Sequence, residues 1–196
     1  PKHLLIVGDC TDAAVVARVM GGEKADFLVT DPPYVLQAAS DKAAKADAND
    51  QALRHFLRSC WLAVFPHMQS HAGAVWFCNW RTVDCVRTAT MTRNEKNYQA
   101  AVWYKGKGAT PGSPWMNTIE MMLFYCLDRY DHKHATGLDN HVSIPWGGGT
   151  RAHHPAEKPV EVYEYAMTPM FDGDIVVDPF LGSGTTVQAM LPHLME

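Results

Sequence analysis

Residues Asp26-Phe27-Leu28-Val29-Thr30 form a short apolar, β-prone run that ends against two consecutive prolines, Pro32 and Pro33. Neither proline can donate to a sheet ladder, so the strand must stop there, and the fixed φ of both residues dictates how the chain leaves it. The segment Asp31-Pro32-Pro33-Tyr34 is therefore expected to hold a carboxylate and an aromatic ring rigidly at the end of a buried strand.

The rest of the chain alternates strand-like and helix-like stretches. Leu4 to Val7 reads as a strand ending in Gly8-Asp9, and Ala13 to Met20 as a helix stopped by Gly21-Gly22. Residues 35–50 are rich in Ala, Lys and Asp and suit a loop, whereas 51–67 has apolar residues at helical spacing. Strands are expected at 73–78, 98–104, 119–125 and 174–178, and helices at 81–92 and at 160–170, where Pro159 suits the first turn. Residues 105–114 form a Gly/Pro-rich loop, and 128–154 read as irregular. This alternation predicts an α/β sandwich with a mostly parallel sheet, whose ligands gather at the carboxyl ends of the strands. Asp9, Asp31 and Asp178 are all expected at such ends.

A chain of 196 residues, 47% hydrophobic, is long enough for one substantial core, so a single domain over 1–196 is expected. No apolar run approaches the roughly 20 residues of a membrane span, and a soluble, intracellular protein without membrane partners is expected. Cys10, Cys60, Cys78, Cys85 and Cys126 are scattered and form no CxxC pair, which suits reduced thiols. His153 and His154 are adjacent, and no histidine or cysteine cluster has zinc spacing, so no metal is expected. The net charge of −4 does not advertise a nucleic-acid binder, yet 81–107 carries Arg81, Arg87, Arg93, Lys96, Lys105 and Lys107 against Asp84 and Glu95. A local basic face is expected there.

Two motifs carry chemistry. In Asp178-Pro179-Phe180-Leu181-Gly182-Ser183-Gly184-Thr185 the glycines allow a tight turn and close backbone approach to a ligand, and the following helix start offers free N–H groups to a carboxylate. Gly-x-Gly alone is equally an ordinary strand-to-helix turn. Val187 stands where a dinucleotide fingerprint has its third glycine, and no phosphate-cradling GxxxxGK is present. The second motif is Asp31-Pro32-Pro33-Tyr34. An exocyclic amino group on a base has its lone pair delocalised into the ring, and becomes nucleophilic only when acceptors hold its protons and favour a more tetrahedral nitrogen. Asp31 can accept one N–H, the Pro32 carbonyl can accept the other, and Tyr34 offers a flat surface for an extruded base.

With these motifs in view, the chain resembles the β class of DNA amino-methyltransferases, which modify adenine N6 or cytosine N4. In that class the DPPY motif precedes an FxGxG motif, here Phe180 to Gly184. Gly8-Asp9-Cys10 resembles the family's GD segment near the cofactor adenine. His154-Pro155-Ala156-Glu157-Lys158-Pro159 resembles its HPTQKP segment, with Ala156 and Glu157 in place of Thr and Gln.

The resemblance implies a Rossmann-like S-adenosylmethionine-dependent methyltransferase fold of circularly permuted motif order, with about seven strands, one of them antiparallel. It implies catalytic roles for Asp31, Pro32 and Tyr34. The implied cofactor-binding set is Asp9, Cys10, Asp31, Lys158, Asp178, Phe180, Gly182, Ser183, Gly184 and Thr185, with Lys158 facing the cofactor carboxylate. Family members continue to a strand bearing an acidic ribose ligand about 20 residues past the glycine turn. Here Glu196 lies 12 residues past Gly184, so a fragment is expected and the ribose ligand has no assignment.

The implied substrate is double-stranded DNA with a flipped base, recognised through an insertion around 105–151 that contains Trp115, Lys133 and Arg151. Asp rather than Ser before Pro-Pro-Tyr favours adenine N6. Cytosine N4, or a non-catalytic DNA-binding subunit of the same fold, are the alternatives. A restriction endonuclease partner, a homodimer and a bacterial or phage-encoded cytoplasmic protein associated with the nucleoid also belong to this expectation.

Overall fold

The computed structural model describes residues 3–34, 44–91, 96–106, 114–128, 137–146 and 157–191, with backbone alone at 44–48 and 96–97. Its centre is a six-stranded sheet: β1 (Ala25–Thr30), β2 (Met68–Cys78), β3 (Lys96–Tyr104), β4 (Ile119–Cys126), β5 (His141–Ser143) and β6 (Val176–Val177), in the order β5-β3-β4-β2-β1-β6. β1 runs parallel to both β2 and β6, and β3 parallel to β5, while β4 is antiparallel to β2 and β3. Among these strands β4 alone is reversed. The carboxyl ends of β1, β2, β3, β5 and β6 therefore share one edge with the amino end of β4.

The near-continuous apolar character of the strands follows from cover on both faces. Leu28, Ala74, Trp76 and Leu123 pack toward α1 (Ala13–Met20), α2 (Ala44–Val64) and α3 (Val83–Thr90), meeting Val16, Leu57, Trp61 and Val86. Their sequence neighbours Phe27, Val29, Val75, Phe77 and Met122 point the other way, onto Val162, Tyr163 and Met167 of α4 (Val160–Met167) and Ala189 of α5 (Thr185–Met190). The two-residue side-chain period of each strand thus builds a three-layer sandwich. Inside the first layer the Trp76 indole N–H donates to the Tyr125 hydroxyl at 3.0 Å, so both polar tips are satisfied where they are buried.

Asp12 starts α1 by accepting from the Ala14 N–H at 2.8 Å, and Gly21 ends it with φ of 58°, a conformation glycine adopts without Cβ strain. Gly73 has a different role. It lies opposite Phe27 in the β1–β2 register, and a Cβ there would sit 2.8 Å from the Phe27 ring.

Several expectations change. Leu4 to Val7 forms no strand; Val7 is 98% exposed, and no strand among the described residues pairs with this segment. Without a ladder, β-propensity has nothing to act on. The expected loop over 35–50 is helical from Ala44 onward, because its Ala-rich sequence has high helix propensity and runs into the apolar face of α2. Residues 35–43 lie outside the described residues. Pro66 ends α2 early, leaving a single 3₁₀ turn at Phe65–His67. Within the stretch read as irregular, His141–Ser143 pairs with β3. No described helix is long and apolar enough to cross a membrane, and the described residues contain no cluster of three or more potential metal ligands.

Candidate active site

Asp31 leaves β1 at the edge where the parallel strands end, followed by a buried Pro32 and an exposed Pro33. One of its oxygens, Oδ2, accepts a hydrogen bond from the Lys158 ammonium; the other, Oδ1, is buried and has no hydrogen-bond partner among the described residues. Lys158 also lies 3.2 Å from Glu120 Oε2, an oxygen that accepts from the Tyr34 hydroxyl at 3.0 Å. Glu120 Oε1 accepts from the Lys105 ammonium at 3.1 Å. The result is a buried chain of alternating charge, Asp31–Lys158–Glu120–Lys105. Aromatic faces line it: the Lys158 ammonium is 5.2 Å from the centres of both the Tyr34 and Phe77 rings, and Lys105 is 4.8 Å from that of Trp146.

The two carboxylates differ in their proton affinity. Burial pushes the Asp31 carboxyl above the usual aspartate range, and Lys158 only partly offsets it. Burial pushes Glu120 up as well, but Lys158 and Lys105 together outweigh it and hold Glu120 below the usual range. Burial also raises the Tyr34 phenol well above its ordinary value, so the hydroxyl is a donor at neutral pH.

A second group assembles beside it, at the end of β6. Asp178 accepts from the Thr30 hydroxyl at 2.6 Å, the Phe180 N–H at 2.9 Å and the Thr186 hydroxyl at 2.5 Å. These bonds tie β1, β6 and α5 together, and burial, the dominant influence, still raises the carboxyl to about 6. The turn that follows takes φ of 55° at Gly182 and 86° at Gly184, and Gly184 donates back to the Leu181 carbonyl at 2.9 Å. Ser183 Oγ and Thr185 Oγ1 are 3.1 Å apart. No atom of the described residues lies within 4 Å of where a Cβ on Gly184 would be.

Asp9 and Cys10 reach the same end of the molecule through α2. Asp9 accepts from the Thr11 N–H and hydroxyl, both at 2.8 Å, which lowers its pKa. The Cys10 thiol is hydrogen-bonded with that of Cys60 on α2. One α2 turn earlier, Phe56 packs on Phe180 with ring centres 5.6 Å apart. The Gly8–Cys10 turn and the glycine turn therefore rest on neighbouring α2 side chains.

Sequence reasoning did not foresee Glu120, nor the inward course of Lys105. An acid within the otherwise apolar strand Ile119-Glu120-Met121-Met122 was the available signal. Lys105, expected on a basic face, is 4% exposed and neutralised by Glu120. Arg87 in that stretch bonds Asp84 at 3.0 Å. Arg93, Lys107, Lys133, Arg151 and His154 to Ala156 lie outside the described residues.

Residues 127–192 match the model of the N6/N4 methyltransferase family, described as DNA methylase. The chain is 25% identical to the methylase YubD of Escherichia coli (strain K12), over 95% of this chain and 78% of that one. It is also 25% identical to the type II methyltransferase M.HpaI of Haemophilus parainfluenzae, over 90% of this chain and 63% of that one. Among solved structures, the M1.HpyAVI–SAM complex superposes with a TM-score of 0.68 at 18% identity, covering 95% of this chain and 86% of that one. The cytosine-N4-specific PvuII DNA methyltransferase superposes with a TM-score of 0.65 at 13% identity, covering 95% and 77% respectively. The architecture is the Rossmann-like fold of these methyltransferases.

Proposed function

We propose that this chain, similar over residues 127–192 to the N6/N4 DNA methylases, transfers a methyl group from S-adenosylmethionine to N6 of adenine in double-stranded DNA. The observation that carries the reading is the divided Asp31 carboxylate, with Oδ2 on Lys158 and Oδ1 buried without a donor among the described residues. Leaving a buried acceptor unsatisfied costs roughly 1–3 kcal/mol. Such a group is explained when a ligand supplies the missing donor.

An amino group brought to Asp31 Oδ1 would donate one N–H to it and the other to the Pro32 carbonyl. Both acceptors sit on a proline-stiffened turn, so they hold the nitrogen lone pair in a fixed direction. Tyr34 would stack on the extruded base, its ring set by the bond to Glu120. The cofactor, when bound, supplies a methyl group on a sulfonium centre. Asp31 and the Pro32 carbonyl would hold the amine while its lone pair formed the new N–C bond and the sulfonium's bonding pair returned to sulfur, and Asp31 or solvent would take the proton the nitrogen loses.

The residues fit that cofactor. The turn takes positive φ at Gly182 and Gly184, with no described atom within 4 Å of a Cβ on Gly184; Phe180 and Cys10 pack against the core that α2 belongs to, and Asp9 is exposed. Ser183 and Thr185 offer hydroxyls at the turn. Asp178 is the exception: its three intramolecular donors make it the brace of this half of the site, acting through the turn it shapes.

DNA would approach the edge where Asp31 lies. Because β4 is reversed, the segment leading into it shares that edge, and there Trp115 is 82% exposed. Trp80, two residues past β2 and under the Arg81 guanidinium at 4.9 Å, lies on the same edge. The end of β4 and the start of β5 lie at the opposite edge from Asp31.

Cytosine N4 is the second reading, supported by the likeness to the PvuII enzyme and by acceptors that would serve either amine. Methylation of plasmid DNA, followed by mass spectrometry of the hydrolysed nucleosides, tests both. N6-methyladenine is expected; N4-methylcytosine without it overturns the base assignment. Absence of any methylated base, together with no S-adenosylmethionine binding by calorimetry, would favour a non-catalytic DNA-binding subunit.

A further inference from the structure

We infer that Glu120 is a positioning residue for methyl transfer: by gripping the Lys158 ammonium and the Tyr34 hydroxyl on one oxygen, it keeps Lys158 on Asp31 Oδ2 and leaves Asp31 Oδ1 for the amine. The inference rests on the methyltransferase reading above and adds a residue to it.

The geometry argues for this from three sides. First, Glu120 lies on β4 opposite Trp103 and shares a face with Met122, the face covered by α4, and Lys158 lies two residues before that helix. The reversed strand thus delivers a carboxylate from the far side of the sheet to the edge where Asp31 ends β1. Secondly, Oε2 alone touches two neighbours of Asp31, with Lys158 at 3.2 Å and Tyr34 at 3.0 Å. Thirdly, Oε1 has its own cation, Lys105 at 3.1 Å, so Glu120 does not compete with Asp31 for a single ammonium. Two carboxylates and two ammoniums make the buried cluster neutral as a whole.

An ion pair of this burial adds little net stability, because desolvation offsets most of the attraction. Its contribution lies in placement. Lys158 held between two carboxylates has one position, whereas with Asp31 alone it could swing to cover both oxygens and block the acceptor. A misplacement of about 1 Å in such a site can cost on the order of 100-fold in rate.

Glu120 also sets the charge that Asp31 experiences. The groups facing this pair are Lys158 ahead of α4, Tyr163 on α4, Lys105 after β3, Cys78 ending β2, Tyr34, and Asp178 beyond β6. Removing the Glu120 charge leaves the two lysines unmatched around Asp31, which favours its ionised form.

The test is Glu120→Gln, which preserves size and one acceptor oxygen but removes the charge, with Glu120→Asp as the variant that keeps the charge and shortens the reach. Methyl transfer to plasmid DNA and the Asp31 titration, followed by carboxyl carbon NMR on the ligand-free protein, are both measured. Glu120→Gln should lower kcat by about 10- to 100-fold, change KM for DNA and cofactor by less than kcat, and move the Asp31 titration to lower pH. Glu120→Asp should lower kcat while keeping Asp31 titrating closer to the wild-type position. Unchanged kcat in both variants overturns the inference, as does a uniform loss with no movement of the Asp31 titration, which marks a merely structural role. Absence of transfer by the wild-type protein would sink the methyltransferase reading instead, while the Asp31 titration still decides whether Glu120 governs that carboxylate.

Discussion

Lys158 and Asp31 stand 127 positions apart in the chain and meet at the sheet edge, where the ammonium occupies one carboxylate oxygen and the other is buried with no hydrogen-bond partner among the described residues. This pairing orients Asp31 as well as neutralising it, since a carboxylate gripped on Oδ2 cannot rotate to satisfy Oδ1 elsewhere. Asp31→Ala is therefore expected to reduce methyl transfer by at least about 100-fold, because the amine loses the acceptor that holds its lone pair in line. Cofactor affinity, measured by calorimetry, should change by less than tenfold. Comparable losses of both would show that Asp31 mainly holds the pocket together.

Removal of the cation should act on the fold as well. Lys158→Met keeps the length of the side chain but leaves Asp31 and Glu120 with Lys105 as their remaining ammonium. An uncompensated buried charge costs about 3–5 kcal/mol unless the group takes up a proton. Denaturant unfolding at pH 7.5 should register a loss of several kcal/mol, smaller at pH 5, where a carboxyl can protonate. Equal stability of variant and wild type at pH 7.5 would contradict the buried-cluster description.

Trp115 offers a surface test. It is 82% exposed in the segment that leads into β4, and stacking of a base on an aromatic ring is worth about 1–3 kcal/mol. Trp115→Ala should raise KM for DNA roughly tenfold. Thermal stability and cofactor affinity should stay at wild-type values. A fall in stability without a change in KM would assign the tryptophan to packing.

The parts of this architecture legible in sequence are those fixed by local chemistry. Two prolines end β1 whatever surrounds them, and glycines at 182 and 184 supply the positive φ the turn requires. The parts not legible depend on partners remote in sequence. Leu4 to Val7 has strand composition but no ladder to join among the described residues. Lys105 looked like a loop cation, and only the reversal of β4 brings Glu120 to it across the sheet. The motif around Asp178 does not reveal that its carboxylate takes donors from β1, the turn and α5.

Gly73 isolates packing from chemistry. A methyl group there would meet Phe27 ring atoms at 2.8 and 2.9 Å and Phe124 at 3.4 Å, and those rings are themselves stacked at 6.5 Å between centres. Gly73→Ala should destabilise the fold by about 1–3 kcal/mol, the usual range for overpacking. At about 2–4 °C per kcal/mol for a chain of this size, the loss is readable as a lower Tm. The pairing of Phe27→Leu with Gly73→Ala should recover part of it, because the smaller side chain makes room. Additive losses in the double variant would place the strain elsewhere.

Asp178 gives a pH dependence whose sign can be worked out. Its folded pKa is raised to about 6 from an ordinary value of 3.8, so between these values the folded protein binds more protons here than the unfolded chain. By linkage, this group makes the protein more stable as pH falls from about 6 toward 4, and its unfavourable contribution is fully present above pH 6. Asp178→Asn removes the titration but keeps an acceptor oxygen for part of the Thr30, Phe180 and Thr186 network. Unfolding free energies of wild type and variant, measured from pH 4.5 to 7.5, should diverge in slope, with the difference between them flattening above about pH 6.5. Parallel curves across that range would mean that the three donors hold Asp178 ionised throughout, and that hydrogen bonding rather than burial sets its charge.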